Sequence, residues 1–240
     1  MSQQNEQEFI KVRVEKTASL RQKGIDPYPT NYKRTHTSQQ AEKAFEAAEK
    51  EDDEFNETIK VAGRIMGRRG MGKASFIDLS DADGRIQVMM RSNVLNEDYE
   101  ILDDLDIGDW IGAEGTLFRT RTGQITLQVA TFSILCKSLR PLPEKWHGLT
   151  DVETRFRQRY LDLISNEDAI KTAKDRSLLV STIRQFMSDK GFIEVETPML
   201  VPIAAGGMAH PFTTHHNALN RDLFLRIATC LLYTSDAADE

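Results

Sequence analysis

Apolar and polar positions along this chain change rhythm three times, and each rhythm predicts a different kind of structure. Over residues 3–24, Phe9, Val12, Lys16 and Leu20 make a rough helical stripe with Val14 beside it. That spacing predicts a helix, and Gly24 stands where a C-cap belongs. Asp26-Pro27-Tyr28-Pro29 ends the pattern, because proline fixes φ and removes a backbone donor. A second helix is predicted from Ser38 to Lys50, rich in Ala, Glu and Lys. Ser38 is its expected N-cap, and the acidic run Glu51-Asp52-Asp53-Glu54 closes it.

Residues 59–137 turn to β-branched residues, alternation and glycine turns. Five strands are predicted: 59–68, 74–80, 85–91, 110–118 and 124–136. Asp81-Ala82-Asp83-Gly84 and Arg121-Thr122-Gly123 are the tight turns, and Asn96 to Leu105 is a polar helical stretch between the third and fourth strands. Three strands, a helix and two strands is the order of an OB-fold, a small Greek-key barrel whose open face takes oligonucleotides. Other five-stranded barrels share that order.

The third rhythm is helical again. From Asp168 to Lys190, Ile170, Ala173, Leu178, Leu179, Ile183, Phe186 and Met187 recur at helical spacing, and Gly191 is the expected C-cap. A strand is predicted for Phe192 to Val195, then Pro198. The whole is α+β.

Composition narrows the function classes. A chain of 240 residues holds one or two domains, and 40% hydrophobic with 28% charged residues is ordinary for a soluble globular protein. There is no run of 18 apolar residues to span a membrane, and Met1 to Glu8 has no apolar stretch of a secretion signal. Two cysteines, Cys136 and Cys230, build neither a disulfide framework nor a zinc site. A cytoplasmic setting is the expectation. The net charge of −6 argues against a protein that coats nucleic acid by electrostatics alone.

Local charge is another matter. Over 59–95 seven bases (Lys60, Arg64, Arg68, Arg69, Lys73, Arg85, Arg91) face three acids, Asp78, Asp81 and Asp83. The acids gather instead in 97–109. A barrel with one basic wall suits a strand of RNA. Alternation sets Ser75, Ile77 and Leu79 on one face of their strand, and Phe76 and Asp78 on the other. If the first set is core, Phe76 is a stacking surface for an unpaired base; a core phenylalanine is the competing reading. Gln87, between Ile86 and Val88, points away from the core, where its amide either reads a base edge or is merely solvated. The first helix carries Lys11, Arg13, Lys16, Arg21 and Lys23 on its other face, either a wet surface or a rail for phosphates. His210, His215 and His216 lack a carboxylate or cysteine to complete a metal site, so no metal is expected.

Several motifs in order carry a family resemblance. Val61-Ala62-Gly63-Arg64, Met71-Gly72-Lys73-Ala74-Ser75-Phe76 and Gly84-Arg85-Ile86-Gln87 resemble the anticodon-binding barrel of bacterial class II lysyl-tRNA synthetases. Arg140-Pro141-Leu142-Pro143 and the run from Arg155 to Leu163 resemble the linker and the entry to their catalytic domain. Gly191-Phe192-Ile193-Glu194-Val195-Glu196-Thr197-Pro198 looks like motif 1, and Thr214 to Leu219 is similar to a segment typical of the lysine enzymes. The resemblance implies that Phe76 stacks the central uridine of the anticodon, and that Gln87, Arg64, Arg68 and Arg69 contact base edges and phosphates. It implies that the backbone of Gly206 and Gly207 borders the lysine substrate. It implies that Gly191, Phe192, Glu194 and Pro198 belong to the homodimer contact of motif 1. Its partners would be tRNA(Lys), lysine and ATP, with Mg2+ as the metal of the full-length enzyme. The family usually has Arg or Lys before Pro211, where this chain has His210.

These readings divide the chain into a helical extension (1–56), the barrel (57–140), a linker (141–165), the start of a catalytic domain (166–228) and a tail (229–240). The resemblance stops at Ala228, so the tail is expected to be non-native and the chain a truncated piece without motifs 2 and 3. No catalytic residue is expected in it, and neither ATP nor Mg2+ is expected to bind it well. An aspartyl- or asparaginyl-tRNA synthetase fragment shares the barrel and motif 1. A stand-alone OB-fold RNA-binding module is the remaining alternative.

Overall fold

The computed structural model describes residues 3–51, 55–143, 149–204 and 209–227. The chain divides into two compact units, Met1–Asn166 and Glu167–Glu240.

The first unit is built on a closed five-stranded barrel. Two helices, α1 (Gln3–Gln22) and α2 (Ser38–Lys50), precede strands β1 (Ile59–Met71), β2 (Ala74–Ser80) and β3 (Arg85–Arg91). A single-turn helix α3 (Ser92–Leu95) and a 3₁₀ helix (Asn96–Asp104) lead into β4 (Trp110–Arg119) and β5 (Ile125–Cys136). The barrel closes in the order β1-β2-β3-β5-β4. β3 and β5 pair in parallel and the other neighbours antiparallel. This is the expected architecture, with β1 reaching three residues beyond its predicted end and the helical stretch wound mostly as 3₁₀.

Alternation fills the barrel. Ile59, Val61, Ile65, Ile77, Leu79, Val88, Met90, Ile111, Leu127 and Val129 are all buried in one apolar cluster. Leu95, Leu102 and Leu105 from the segment joining β3 to β4 plug one end, and Ser75 and Tyr99 meet there through their hydroxyls at 3.1 Å. At Gly115 a side chain would drive a Cβ to 1.9 Å from the Gln128 carbonyl oxygen, so only glycine lets β4 come this close to β5.

Two sequence expectations change here. Thr37, not Ser38, caps α2: its hydroxyl accepts from the Gln40 amide while the Gln40 side chain accepts from the Thr37 amide. Ser38 instead donates through its amide and hydroxyl to Asp81, both at 2.7 Å, tying the helix to the β2–β3 turn. The first helix docks by Arg13, Thr17 and Leu20, all buried, while Phe9 and Val12 of the expected stripe stay exposed. Arg13 donates to the carbonyls of Ile107, Ser138 and Arg140. Lys16 and Lys23 pair with Asp106 and Asp104, each at 2.7 Å. Much of that basic face therefore holds the helix to the barrel rather than standing free for phosphates.

The rest of the first unit carries α4 (Val152–Arg157) and α5 (Arg159–Ser165), joined by the buried Asp162, which pairs with Arg155 at 2.9 Å and with Arg159 at 2.5 Å.

The second unit opens with α6 (Glu167–Asp189), followed by β6 (Leu200–Val201), β7 (Thr213–His216) and β8 (Arg221–Leu225) in a small sheet ordered β6-β8-β7. Gly191, at φ +85°, ends α6: its amide donates to Ser188 and that of Phe192 to Met187. The strand expected at Phe192 to Val195 does not form. No described strand pairs with it, and a strand is made by its ladder. The apolar stripe of α6 is exposed, with Leu178 at 67% and Phe186 at 58%. Among the described residues no helix is long and apolar enough to cross a membrane.

Candidate nucleic-acid interface

Register places the open face of the barrel. Ile77, Val88 and Leu127 are cross-strand partners and all buried in the core. Their sequence neighbours point the other way. One outward row is Arg69, Phe76, Met89 and Gln128 across β1, β2, β3 and β5. The next is Gly67, Asp78, Gln87 and Thr126. Directly opposed residues stand about 4.5–5.5 Å apart at Cβ. Phe76 is half-buried on this face, as the alternation of β2 requires. The competing reading, a phenylalanine in the core, does not hold.

The three arginines separate. A register shift between Ile65 and Gly67 inserts an extra residue into β1 and resets which side each following residue faces. Arg69, opposite Phe76, lies on the open face and pairs with Asp78 at 3.1 Å. Arg68 lies opposite Ile77, hydrogen-bonds the Leu102 carbonyl and sits 3.5 Å from Asp103. It ties the 3₁₀ helix to β1, while the residue itself stays exposed. Arg64 donates to the Gly108 carbonyl at 3.0 Å, and its guanidinium lies 5.2 Å from the centre of the Trp110 ring. Burial lowers its pKa from the usual arginine value. Arg64 faces Ser80, four residues along β2 from Phe76, a rise of about 13 Å. Of the three, Arg69 alone shares the row with Phe76.

Gln87 also departs from expectation. It does point away from the core, but it is buried rather than solvated, and the Thr126 hydroxyl lies 3.0 Å from its Oε1. Arg91 stands opposite Ala74 next to the Phe76 row, and Arg91 and Lys73 are both exposed with no ion pair among the described residues. Met89 and Thr126 carried no sequence signal as site residues. The β2–β3 hairpin sets Met89 opposite Phe76, and the parallel pairing of β3 with β5 brings in Thr126 from far along the chain.

The remaining candidates lie elsewhere. Gly191 is the helix stop described above, Phe192 is exposed, Glu194 pairs with Arg184 at 3.0 Å, and Pro198 is exposed. Ile183, Met187, Phe192, Ile193 and Val195 line a groove of about 1050 Å³ beside α6. Gly206 and Gly207, with Ala228 and the tail, lie outside the described residues. His215 is 2.8 Å from Asp222 across β7 and β8. No group of three or more His, Cys, Asp or Glu among the described residues is placed to hold a metal ion.

A half-buried aromatic flanked by an arginine and an amide, with free cations at its border, can stack one base, meet its edge and neutralise neighbouring phosphates. Residues 59–141 match an OB-fold nucleic acid binding domain, and residues 151–234 match the class II tRNA synthetases for D, K and N. The lysine–tRNA ligase of Carboxydothermus hydrogenoformans is 52% identical over 229 residues, 95% of this chain and 46% of that protein. The lysine–tRNA ligase of Dehalococcoides mccartyi strain CBDB1 is 54% identical over 90% of this chain and 44% of its own length. That of Citrobacter koseri is 51% identical over 91% and 44%. The chain thus spans somewhat under half the length of the curated relatives it matches.

Proposed function

The chain belongs to the lysine–tRNA ligase family of class II synthetases over the residues it contains, and from that premise we propose that its barrel reads the anticodon of tRNA(Lys). The parent enzyme activates lysine with ATP and Mg2+ and joins it to that tRNA. The single observation that carries this reading is the outward row Arg69–Phe76–Met89 beside Asp78–Gln87–Thr126, an aromatic and two polar readers on the face of an OB-fold. Phe76 stacks the central uridine. The Gln87 amide meets its edge, Arg69 supplies donors beside the ring, and Lys73 and Arg91 take phosphates. Arg64 and Arg68 hold the frame.

In the second unit, the exposed apolar face of α6 and the segment Phe192 to Val195 serve as the subunit contact of the parent homodimer. Gly206 and Gly207 border the lysine. The present chain carries the RNA-reading part of the reaction.

Binding of the full chain to a UUU anticodon stem-loop tests this, beside a GUC control. UUU is expected to bind more tightly, and Phe76→Ala to cost about 1–3 kcal/mol of that affinity. Arg91→Ala is expected to weaken all loops alike and lower the slope of binding against log salt by about 1. Equal binding of UUU and GUC, untouched by Phe76→Ala, would refute the assignment. Preference for GUC would move it to the aspartate enzymes.

A further inference from the structure

Gln87 can present either end of its amide, and a base edge distinguishes the two: the nitrogen donates, the oxygen only accepts. Which end faces outward therefore decides which base is accepted. The Thr126 side chain sits beside this amide on the next strand, fully buried, with Oγ1 3.0 Å from Gln87 Oε1 and 3.3 Å from the Gln124 carbonyl oxygen. A hydroxyl has one proton to give, and the shorter contact is the one to Gln87. The opposite flank agrees. Asp78 is the cross-strand partner of Gln87 on the other side, and a carboxylate, which only accepts, favours the amide nitrogen toward itself. No buried side-chain nitrogen or oxygen among the described residues lacks a partner. Gln87 Nε2 donates to none of those residues, so it is an end of this largely buried amide that reaches solvent.

We infer that Thr126 is a positioning residue for base selection. By holding Oε1 of Gln87 inward it leaves only the Nε2 donor on the open face, so the platform takes a base with a carbonyl at that edge and rejects one with an amino group. This rests on the anticodon reading above and sharpens it. For a pyrimidine stacked on Phe76, uracil offers the O4 acceptor, whereas cytosine places an N4 donor against a donor. Thr126 touches no RNA in this scheme; it acts through Gln87.

The test is the ratio of affinities of the full chain for UUU and UCU stem-loops, which differ at the central base by that one exchange. The wild type is expected to prefer UUU about tenfold. Thr126→Val keeps the shape but removes the hydroxyl, freeing the amide to turn, and the ratio is expected to fall to about twofold or less. Thr126→Ser restores the hydroxyl and the preference. Should Thr126→Val be too unstable to measure, the ¹⁵N-labelled wild-type chain gives a second reading: the Gln87 side-chain amide signals shift strongly with UUU and little with UCU. A tenfold preference kept by Thr126→Val, or amide signals that respond equally to both loops, overturns the positioning role alone. Wild-type binding blind to the central base and to Phe76→Ala overturns it together with the anticodon reading.

Discussion

The barrel and α6 present the same sequence signal, apolar residues at regular spacing, and meet opposite fates. In the barrel Ile77, Val88 and Leu127 are wholly buried; on α6 Leu178, Leu179, Ile183 and Phe186 are each more than half exposed. Periodicity announces a face that must be covered, and says nothing of what covers it. The barrel covers its own, because five strands close on themselves. Helix α6 has no described neighbour to do so within its unit, and its apolar face is the larger exposed patch expected of an interaction surface.

The comparison is sharpened most by breaking the ion cluster that locks the barrel's last strand. Lys137 Nζ is buried and donates to the Asp104 carbonyl at 2.6 Å, to Asp106 at 2.9 Å and to Asp109 at 2.6 Å. Replacing it with methionine leaves the buried Asp109 without its cation and Asp106 with Lys16 alone, and Lys137→Met is expected to cost about 3–5 kcal/mol in urea unfolding of the barrel. A loss under about 1 kcal/mol would mean that water already reaches the cluster. Truncation of a core apolar residue comes next. Leu127→Ala is expected to cost about 2–5 kcal/mol and Ile183→Ala within about 0.5 kcal/mol, since only the first leaves a cavity. Comparable losses at the two sites would show that α6 is covered in solution.

Two of the carboxylates through which acid acts on the barrel are Asp81 and Asp106. Asp81 is buried, which would raise its pKa, but donors from Ser38, Gly84 and Asp83 outweigh this and hold it below the usual aspartate value. Asp106 is likewise lowered, with burial outweighed by Lys16 and Lys137. A depressed folded pKa stabilises above the unfolded value, near pH 4, and that contribution is lost as pH falls through the folded value. The thermal midpoint of the barrel is therefore expected to be flat above about pH 5 and to drop below about pH 4, and Asp81→Asn to flatten that drop. A drop unchanged in Asp81→Asn would place the acid sensitivity elsewhere.

What the sequence tells about the site follows the same divide between local and distant causes. The alternation of β2 is local, so the outward face of Phe76 was legible from Lys73 to Leu79 alone. The fates of Arg64 and Arg68 were not: a register shift in β1 and the carbonyls of Gly108 and Leu102 decide them, and neither is written in the neighbouring residues. Ser38 misled as a cap because Thr37 and Ser38 suit the position equally until Asp81 claims one of them. Thr126 became visible only once β5 lay beside β3. Among the basic residues of α1, composition could not separate those that dock, such as Arg13, from Lys11, which stays exposed.

The smallest expected effect asks what holds Phe192 to Val195 beside α6. Two devices are present: the left-handed stop at Gly191 and the pair of Arg184 with Glu194 at 3.0 Å. The pair is exposed at both ends, 62% and 67% of the side chains, and solvent screens such contacts to roughly 0.2–1 kcal/mol. Gly191→Ala puts a Cβ on a backbone at φ +85° and is expected to cost about 1–2 kcal/mol. Amide exchange at Phe192, whose donor closes the helix onto Met187, reads both. Arg184→Gln is expected to change that exchange less than about fivefold, in a salt-dependent way, and Gly191→Ala to change it more. Reversal of that order would mean that charge, rather than the helix stop, sets the path of the segment. The groove beside α6 would then open and close with ionic strength, because screening would act on the Arg184–Glu194 pair.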